Sequence, residues 1–175
     1  KNDILLDASE NLMNNRKKIL DANSIDIDKN KPKLNSALLD RLLLDEDRIE
    51  SICKGLIDIS KLEDPIGKII SKWSRPNGLK IEKVSVPLGV IGVIYESRPN
   101  VTVEAASLCL KAGNAVILKH ATQTLQVGER LAEAFHKVGI PKEVFQNVYL
   151  DHETTIELIR NRQFDFINFT GSVGG

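Results

Sequence analysis

Four short polar segments follow apolar runs that have the composition of buried β-strands, and their side chains could bind an anion. These segments span 96–100, 119–122, 150–152 and 170–172. The residues of interest in them are Glu96, Ser97, Arg98, Asn100, Lys119, Gly171 and Ser172. Parallel strands bring their carboxyl ends to one edge of a sheet, where ligands bind in open α/β folds. Two cations and a Gly-Ser loop suit a phosphate-bearing ligand such as a nucleotide.

Each of these residues also has a simpler interpretation, which the sequence leaves open. Lys119 can be a solvated surface lysine, and Gly171–Ser172 can be an ordinary turn. Arg98 can pair with a nearby glutamate, and Asn100 can be the N-cap of the helix that follows. Neither G-x-G-x-x-G nor G-x-x-x-x-G-K-[ST] occurs in the chain. The anion-site interpretation therefore depends on the convergence of all four segments.

The second half of the chain, 88–175, has the alternating pattern of an α/β fold. We predict strands at 90–95, 114–118, 144–150 and 164–169, and helices at 101–111, 122–138 and 154–160. Strands that are buried on both faces are continuous apolar runs, and helical crossovers require parallel pairing. The pattern therefore predicts a doubly wound, Rossmann-like parallel sheet. We interpret 88–175 as a dinucleotide-binding part that is incomplete at its end.

The first part of the chain, 1–68, is predicted to be a helical cover over this sheet, with a free-standing helical module as the alternative. Apolar residues at helical spacing predict one helix near its start, a short one after Ser36 and a third that begins at Asp45. The polar segment 21–33 contains a proline and is predicted to be a loop.

Residues 69–87 are predicted to form a β-hairpin. Asn77–Gly78 lies between two extended segments, and Asn-Gly in that position is a strong hairpin signal. The apolar–polar alternation slips once near Lys83, which indicates a β-bulge. An isolated hairpin is only marginally stable, so this one needs another surface, from a second subunit or from elsewhere in the protein.

Composition argues against several classes of function. The chain has 175 residues, and its 24 Lys and Arg are balanced by 24 Asp and Glu, which leaves no positive excess for binding nucleic acid. The longest near-apolar run, 86–95, is much shorter than the roughly 18 residues of a membrane span. Two cysteines and three widely spaced histidines do not suggest a metal site. No signal peptide is visible, so a cytoplasmic protein is expected.

The segment 86–102, which contains Tyr-Glu-Ser-Arg-Pro-Asn-Val-Thr, resembles the γ-glutamyl phosphate reductases, a family of the aldehyde dehydrogenase superfamily. Segments 37–45, 73–78 and 111–118 resemble the same family. Residues 119–175 are more similar to aldehyde dehydrogenases in general, because the Gly-Gly turn of the reductases is absent after Leu118.

The resemblance implies an aldehyde dehydrogenase-type fold and NADPH-dependent reduction of γ-glutamyl phosphate to glutamate-5-semialdehyde in proline biosynthesis, through a cysteine thioester. It implies that Lys119 holds the adenosine ribose of NADP(H), and that Thr122, where NAD-preferring relatives often have an acid, favours NADP. The remaining implied site residues are Glu96, Ser97, Gly171 and Ser172 for the cofactor and Asn100 as the oxyanion donor. The hairpin at 71–86 resembles an oligomerisation hairpin, which implies a homo-oligomer.

Neither cysteine lies where the resemblance places a nucleophile. Cys53 is in the N-terminal helices and Cys109 is in a crossover helix, whereas the family's nucleophile follows the Gly-Ser loop. The chain starts at Lys1 without a methionine, so we expect a part of a longer protein, without the catalytic domain and unable to complete the reaction alone. Two alternatives stay open, a truncated non-catalytic nucleotide-binding module and an NAD(P)-dependent semialdehyde dehydrogenase.

Overall fold

A computed structural model describes residues 1–171 of the chain, so the predicted site residue Ser172 lies outside the described residues. Four helices come first: α1 (Asn2–Asn14), α2 (Arg16–Asn30), α3 (Ser36–Leu42) and α4 (Glu46–Lys61). The hairpin strands β1 (Ile69–Ser74) and β2 (Lys80–Val84) follow. The rest consists of β3 (Val90–Tyr95), α5 (Pro99–Lys111), β4 (Ala115–Lys119), a 3-10 turn (Thr122–Thr124), α6 (Leu125–Lys137), β5 (Phe145–Val148), α7 (His152–Arg160) and β6 (Phe166–Thr170).

The predicted α/β fold is confirmed, with four parallel strands in the order β5-β4-β3-β6. The chain adds β4 and β5 on one side of β3 and then returns to place β6 on the other side. Because such crossovers are right-handed, α5 and α6 cover one face of the sheet and α7 lies on the opposite face. The strand order therefore reverses at β3, which makes the sheet doubly wound.

The N-terminal helices form a second layer outside the helices of the sheet. α1 packs on α4 and α6, α2 packs on α6, and α4 packs on α5. One buried apolar cluster runs through these layers and includes Leu12 of α1, Leu56 of α4, Phe135 of α6 and Phe145 of β5. The predicted helical cover thus packs mainly on α5 and α6 rather than on the strands, and it is not a free-standing module.

The predicted loop at 21–33 is wrong, because α2 continues to Asn30. Two of the four buried residues of this helix, Asn23 and Asp26, are polar, and Asn23 is only 1% exposed. The Asn23 amide nitrogen donates to the Leu42 carbonyl at 2.8 Å, and its amide oxygen accepts from the Leu44 N–H at 2.7 Å. Since these buried polar groups are satisfied inside the fold, the segment is helical without apolar periodicity.

Asp26, on the same face of α2, caps the start of α6. Its carboxylate accepts hydrogen bonds from the Val127 N–H at 2.9 Å and the Gln126 N–H at 3.2 Å. Burial raises the pKa of Asp26, and the two backbone hydrogen bonds oppose that shift. The first N–H groups of a helix have no acceptor within that helix. The carboxylate of Asp26 in α2 therefore supplies the acceptor that the first turn of α6 lacks.

The hairpin is confirmed as an antiparallel pair in which Trp73 lies opposite Ile81. The register shifts between Ile69 and Ser71, opposite Val84 and Lys83, so the irregularity predicted near Lys83 is present and the extra residue is on β1. All six residues of β1 are exposed. Within residues 1–171, no helix is long and apolar enough to cross a membrane.

Replacing Asp26 with Ala should lower the free energy of unfolding by about 2 kcal/mol, because two N–H groups of α6 lose their acceptor. The matched control is Asp28→Ala on the exposed side of the same helix, which should change stability by about 0.5 kcal/mol or less. Urea unfolding followed by circular dichroism measures both. Equal losses in the two variants would contradict the capping role.

Candidate functional site

A cleft of about 680 Å³ opens at the carboxyl edge of the sheet, where the strand order reverses between β3 and β6. Its walls come from the ends of all four strands and from α3. Glu96, Ser97, Lys119 and Gly171 all line it. The structure therefore brings together the predicted cofactor residues that it describes, at the position where open α/β sheets bind ligands.

Ser97 lies at a sharp exit from β3. Its φ angle is 23°, in the left-handed region that non-glycine residues rarely adopt, and its side chain is buried. Pro99 starts α5 two residues later, and its fixed φ suits the first turn of a helix. Backbone strain of this kind persists only where the surrounding structure holds it, and it concentrates at binding and catalytic sites.

Gly171 allows the end of β6 to approach the end of β3. A Cβ atom at this position would lie 3.1 Å from Glu96 Cδ and 2.9 Å from the Phe169 ring. A larger residue would therefore push Glu96 or Phe169 into the cleft. Glycine leaves the backbone exposed at this edge, as a close approach of phosphate to main chain requires.

His120 anchors the chain directly after Lys119. Its side chain is 1% exposed, its Nδ1 lies 2.8 Å from Thr124 Oγ1, and its ring meets the Tyr149 ring edge-on with centroids 3.9 Å apart. Burial lowers the pKa of His120 to about 4, and the charge of Lys119 acts in the same direction. The imidazole is therefore neutral at pH 7. Its buried contacts hold the backbone next to Lys119 in place at the rim of the cleft.

The cleft has more positive than negative groups available to a ligand. Arg41, Arg98 and Lys119 line it, together with Glu96 and Asp151. The Asp151 carboxylate is already used as the N-cap of α7, where it accepts from the Thr154 N–H at 2.7 Å. That hydrogen bond lowers the pKa of Asp151. The N-terminal end of α5 also contributes positive potential, so the cleft suits a phosphate-bearing ligand.

Sequence reasoning missed Arg41 as a site residue. Arg41 belongs to α3 and reaches the cleft because α3 packs against α2, most of which falls in the segment 21–33 that is predicted to be a loop. No local pattern marks this residue. Only the packing of α2 on α6 brings α3 to the sheet edge.

Asn100 lies outside the cleft. It is in the first turn of α5, and its amide donates to Glu104 Oε1 at 3.0 Å. It lines a smaller depression that adjoins the cleft. Arg98 occupies the N-cap position, so the alternative that Asn100 caps the helix is wrong. Arg98 forms no ion pair within residues 1–171, and the role of Asn100 as oxyanion donor stays a prediction.

The two thiols are unsuited to nucleophilic chemistry. Cys53 and Cys109 are both buried, and neither lines the cleft. Burial raises the pKa of Cys109 to about 11 and also raises the pKa of Cys53. A thiol attacks as the thiolate, so both residues are inert at neutral pH.

The model of the aldehyde dehydrogenase family matches residues 1–174. The chain belongs to the aldehyde dehydrogenase family. The γ-glutamyl phosphate reductase of Clostridium novyi (strain NT) is 46% identical to it over 173 residues, which cover 96% of this chain and 39% of that protein. The chain thus spans about two fifths of the length of this curated relative.

Two solved structures of γ-glutamyl phosphate reductases are similar over 99% of this chain. The enzyme from Thermotoga maritima has a TM-score of 0.94 at 36% identity, and 44% of its chain is covered. The enzyme from Saccharomyces cerevisiae has a TM-score of 0.88 at 31% identity, with 46% covered. Aldehyde dehydrogenases use NAD or NADP, and the cleft has the position and charge that either dinucleotide requires.

The buried neutral His120 predicts a pH dependence of stability. An unfolded histidine takes up a proton near pH 6.5, whereas folded His120 does so only near pH 4, so stability is lost as the pH falls through that window. Between pH 7 and pH 4.5 the loss from this residue should be roughly 2–3 kcal/mol. Urea unfolding at both pH values should show that loss in the wild type and its absence in His120→Gln.

The exposed His152, at the first residue of α7, supplies the matched control. His152→Gln should keep the pH dependence of the wild type. If His120→Gln instead loses stability with falling pH as steeply as the wild type does, the protonation of His120 is not the cause of that loss.

Proposed function

We propose that this chain is the cofactor-binding part of a cytoplasmic, NADPH-dependent γ-glutamyl phosphate reductase, which makes glutamate-5-semialdehyde for proline biosynthesis. The observation that carries the proposal is a cationic strand-end cleft in a chain that is 46% identical to such a reductase over 96% of its length. When bound, NADPH supplies the hydride for the reduction. The small-molecule substrate is the acyl phosphate that gives the relatives their name.

The cleft residues divide into three groups by position. Lys119, at the end of β4, is proposed to hold the adenosine ribose, and Gly171 with Ser172 is proposed to lie beside the pyrophosphate. Glu96 and Ser97, at the end of β3, would line the cofactor between these two points. The close approach of Gly171 to Glu96 and the strained exit at Ser97 support this arrangement, because both give the cofactor access to main chain.

Thr122 supports NADPH over NADH. It is exposed on the cleft wall, three residues after Lys119, and it has no charge. A carboxylate at this position would repel a 2′-phosphate, whereas a threonine leaves room for it beside the lysine ammonium. Neither Cys53 nor Cys109 is suited to be the thiol that accepts the acyl group in the reductase reaction, because burial raises the pKa of both.

We also propose that the hairpin mediates homo-oligomerisation. Its apolar side chains are exposed, with Ile70 at 61%, Trp73 at 44% and Val86 at 72%. Exposed apolar side chains on a two-stranded ribbon with free edges are a surface for another protein or another copy. A second copy is the simplest partner, because it supplies the same ribbon.

Replacing Thr122 with Asp should weaken NADPH binding about tenfold, because a carboxylate beside the 2′-phosphate costs about 1.4 kcal/mol. NADH affinity should change much less, since NADH lacks that phosphate. Thr122→Asn is the matched control, of the same shape as the Asp variant but uncharged, and it should leave both affinities within about twofold of the wild type. Isothermal titration calorimetry measures all four combinations. Equal losses for NADPH and NADH in Thr122→Asp would contradict the assignment of this wall to the 2′-phosphate.

Replacing Trp73 with Glu should convert the oligomer to monomers, because it places a charge on the proposed apolar contact. Analytical ultracentrifugation of the purified chain measures the mass. The control is Leu62→Glu, which changes another exposed apolar residue, 54% exposed and outside the hairpin. A wild-type chain that sediments as a monomer, or a Trp73→Glu variant that keeps the wild-type mass, would contradict the role of the hairpin.

A further inference from the structure

Two arginines lie where the cleft meets the smaller depression beside it. The depression has a volume of about 310 Å³ and lies between α3, the start of α4 and the first turn of α5. Arg41 of α3 and Arg98 before α5 line both the cleft and the depression, and no other residue is common to the two linings. These two side chains therefore mark a junction, which we call the arginine corner.

The other charged groups of the depression already have partners. The Arg48 guanidinium lies 2.8 Å from Asp40 Oδ1 and donates to the Leu43 carbonyl at 2.8 Å. Glu104 accepts the hydrogen bond of Asn100. These contacts commit both acids of the depression to neighbouring side chains.

Arg41 and Arg98 differ from their neighbours in this respect. Within residues 1–171, neither side chain forms an ion pair or a hydrogen bond, and both are exposed. Each guanidinium has five N–H donors in a planar fork that matches the oxygens of a phosphate or a carboxylate. Two such forks at one junction provide an anion site whose donors are not used within the described protein.

The position of the corner also favours an anion. Arg98 is the N-cap residue of the 13-residue helix α5, and its side chain does not cap the helix. The dipole of α5 therefore adds positive potential at the same point. Lys119, by contrast, lines the cleft but not the depression, so the corner is distinct from the edge proposed for the adenosine ribose.

We propose that Arg41 and Arg98 bind the phosphate group of the acyl phosphate substrate, which enters from the depression while the dinucleotide occupies the cleft. This inference rests on the proposed function, because it needs a cofactor in the cleft and a phosphorylated substrate beside it. A substrate that accepts hydride must lie against the cofactor, and the junction of the two cavities is where the two molecules would meet. The corner thus favours a substrate that carries a phosphate group over an aldehyde that lacks one.

The test is a titration of the isotope-labelled chain with acetyl phosphate, at saturating NADP⁺, followed by backbone amide NMR shifts. In the wild type, the shifts should include the amides of Arg98, Asn100 and Val101 at the start of α5, with NADP⁺ still bound. Arg41→Gln and Arg98→Gln should each weaken acetyl phosphate binding about tenfold, as loss of one charge-assisted phosphate contact implies. Both variants should lose less NADP⁺ affinity than acetyl phosphate affinity, because each arginine lines the depression as well as the cleft.

Arg75→Gln, at the exposed turn of the hairpin, is the matched control and should bind acetyl phosphate as the wild type does. Inorganic phosphate and acetate, titrated separately, show which end of the probe is recognised, and only phosphate should compete. The proposal is overturned if acetyl phosphate does not bind, if acetate competes as well as phosphate does, or if neither arginine variant changes the affinity.

The same variants separate this proposal from the function on which it rests. If Arg41→Gln and Arg98→Gln lose NADP⁺ affinity and acetyl phosphate binds only without NADP⁺, the arginines hold the cofactor's own phosphates, and the substrate assignment is wrong. If the wild type binds no NADP⁺ at all, the proposed function fails. Acetyl phosphate binding to the cofactor-free chain, weakened by both variants, would then show that the corner binds phosphate independently of that function.

Discussion

The reversal of strand order at β3 is the constraint on which the cleft depends. Because β4 and β5 lie on one side of β3 and β6 lies on the other, right-handed crossovers send α5 and α7 to opposite faces of the sheet. Their N-terminal ends separate above β3, and the space between them is open. Glu96 and Gly171 are 75 positions apart in the sequence, and they lie next to each other only because β3 and β6 are adjacent strands.

The N-terminal helices determine the shape of this edge from outside the sheet. Asp26 of α2 caps α6, and Asn23 of the same helix holds the backbone on both sides of Leu43. These contacts fix α3, which carries Arg41 to the cleft. Farther from the cleft, the buried Lys111 of α5 donates to the Ser60 carbonyl at 2.9 Å, at the end of α4. Polar contacts between helices thus position residues that the sheet alone would not bring together.

The sequence predicted the elements whose inward faces are apolar and missed what depends on buried polar contacts. β3 and β4 were predictable as continuous apolar runs, and the convergence of Lys119 and Gly171 follows from parallel topology alone. The helix α2 was not predictable in the same way, because Asn23 and Asp26 occupy positions where periodicity requires apolar residues. Asn100 was expected in the site and lies in the adjoining depression, since the first turn of α5 directs it towards Glu104.

The central claim is that a nicotinamide dinucleotide occupies the cleft at the reversal point, and a crystal structure of this chain with NADPH tests it most directly. The account predicts the dinucleotide at the carboxyl edge of the sheet, with its adenosine ribose against Lys119 and its diphosphate beside Gly171. A cleft that stays empty while NADPH is bound elsewhere on the chain would contradict it.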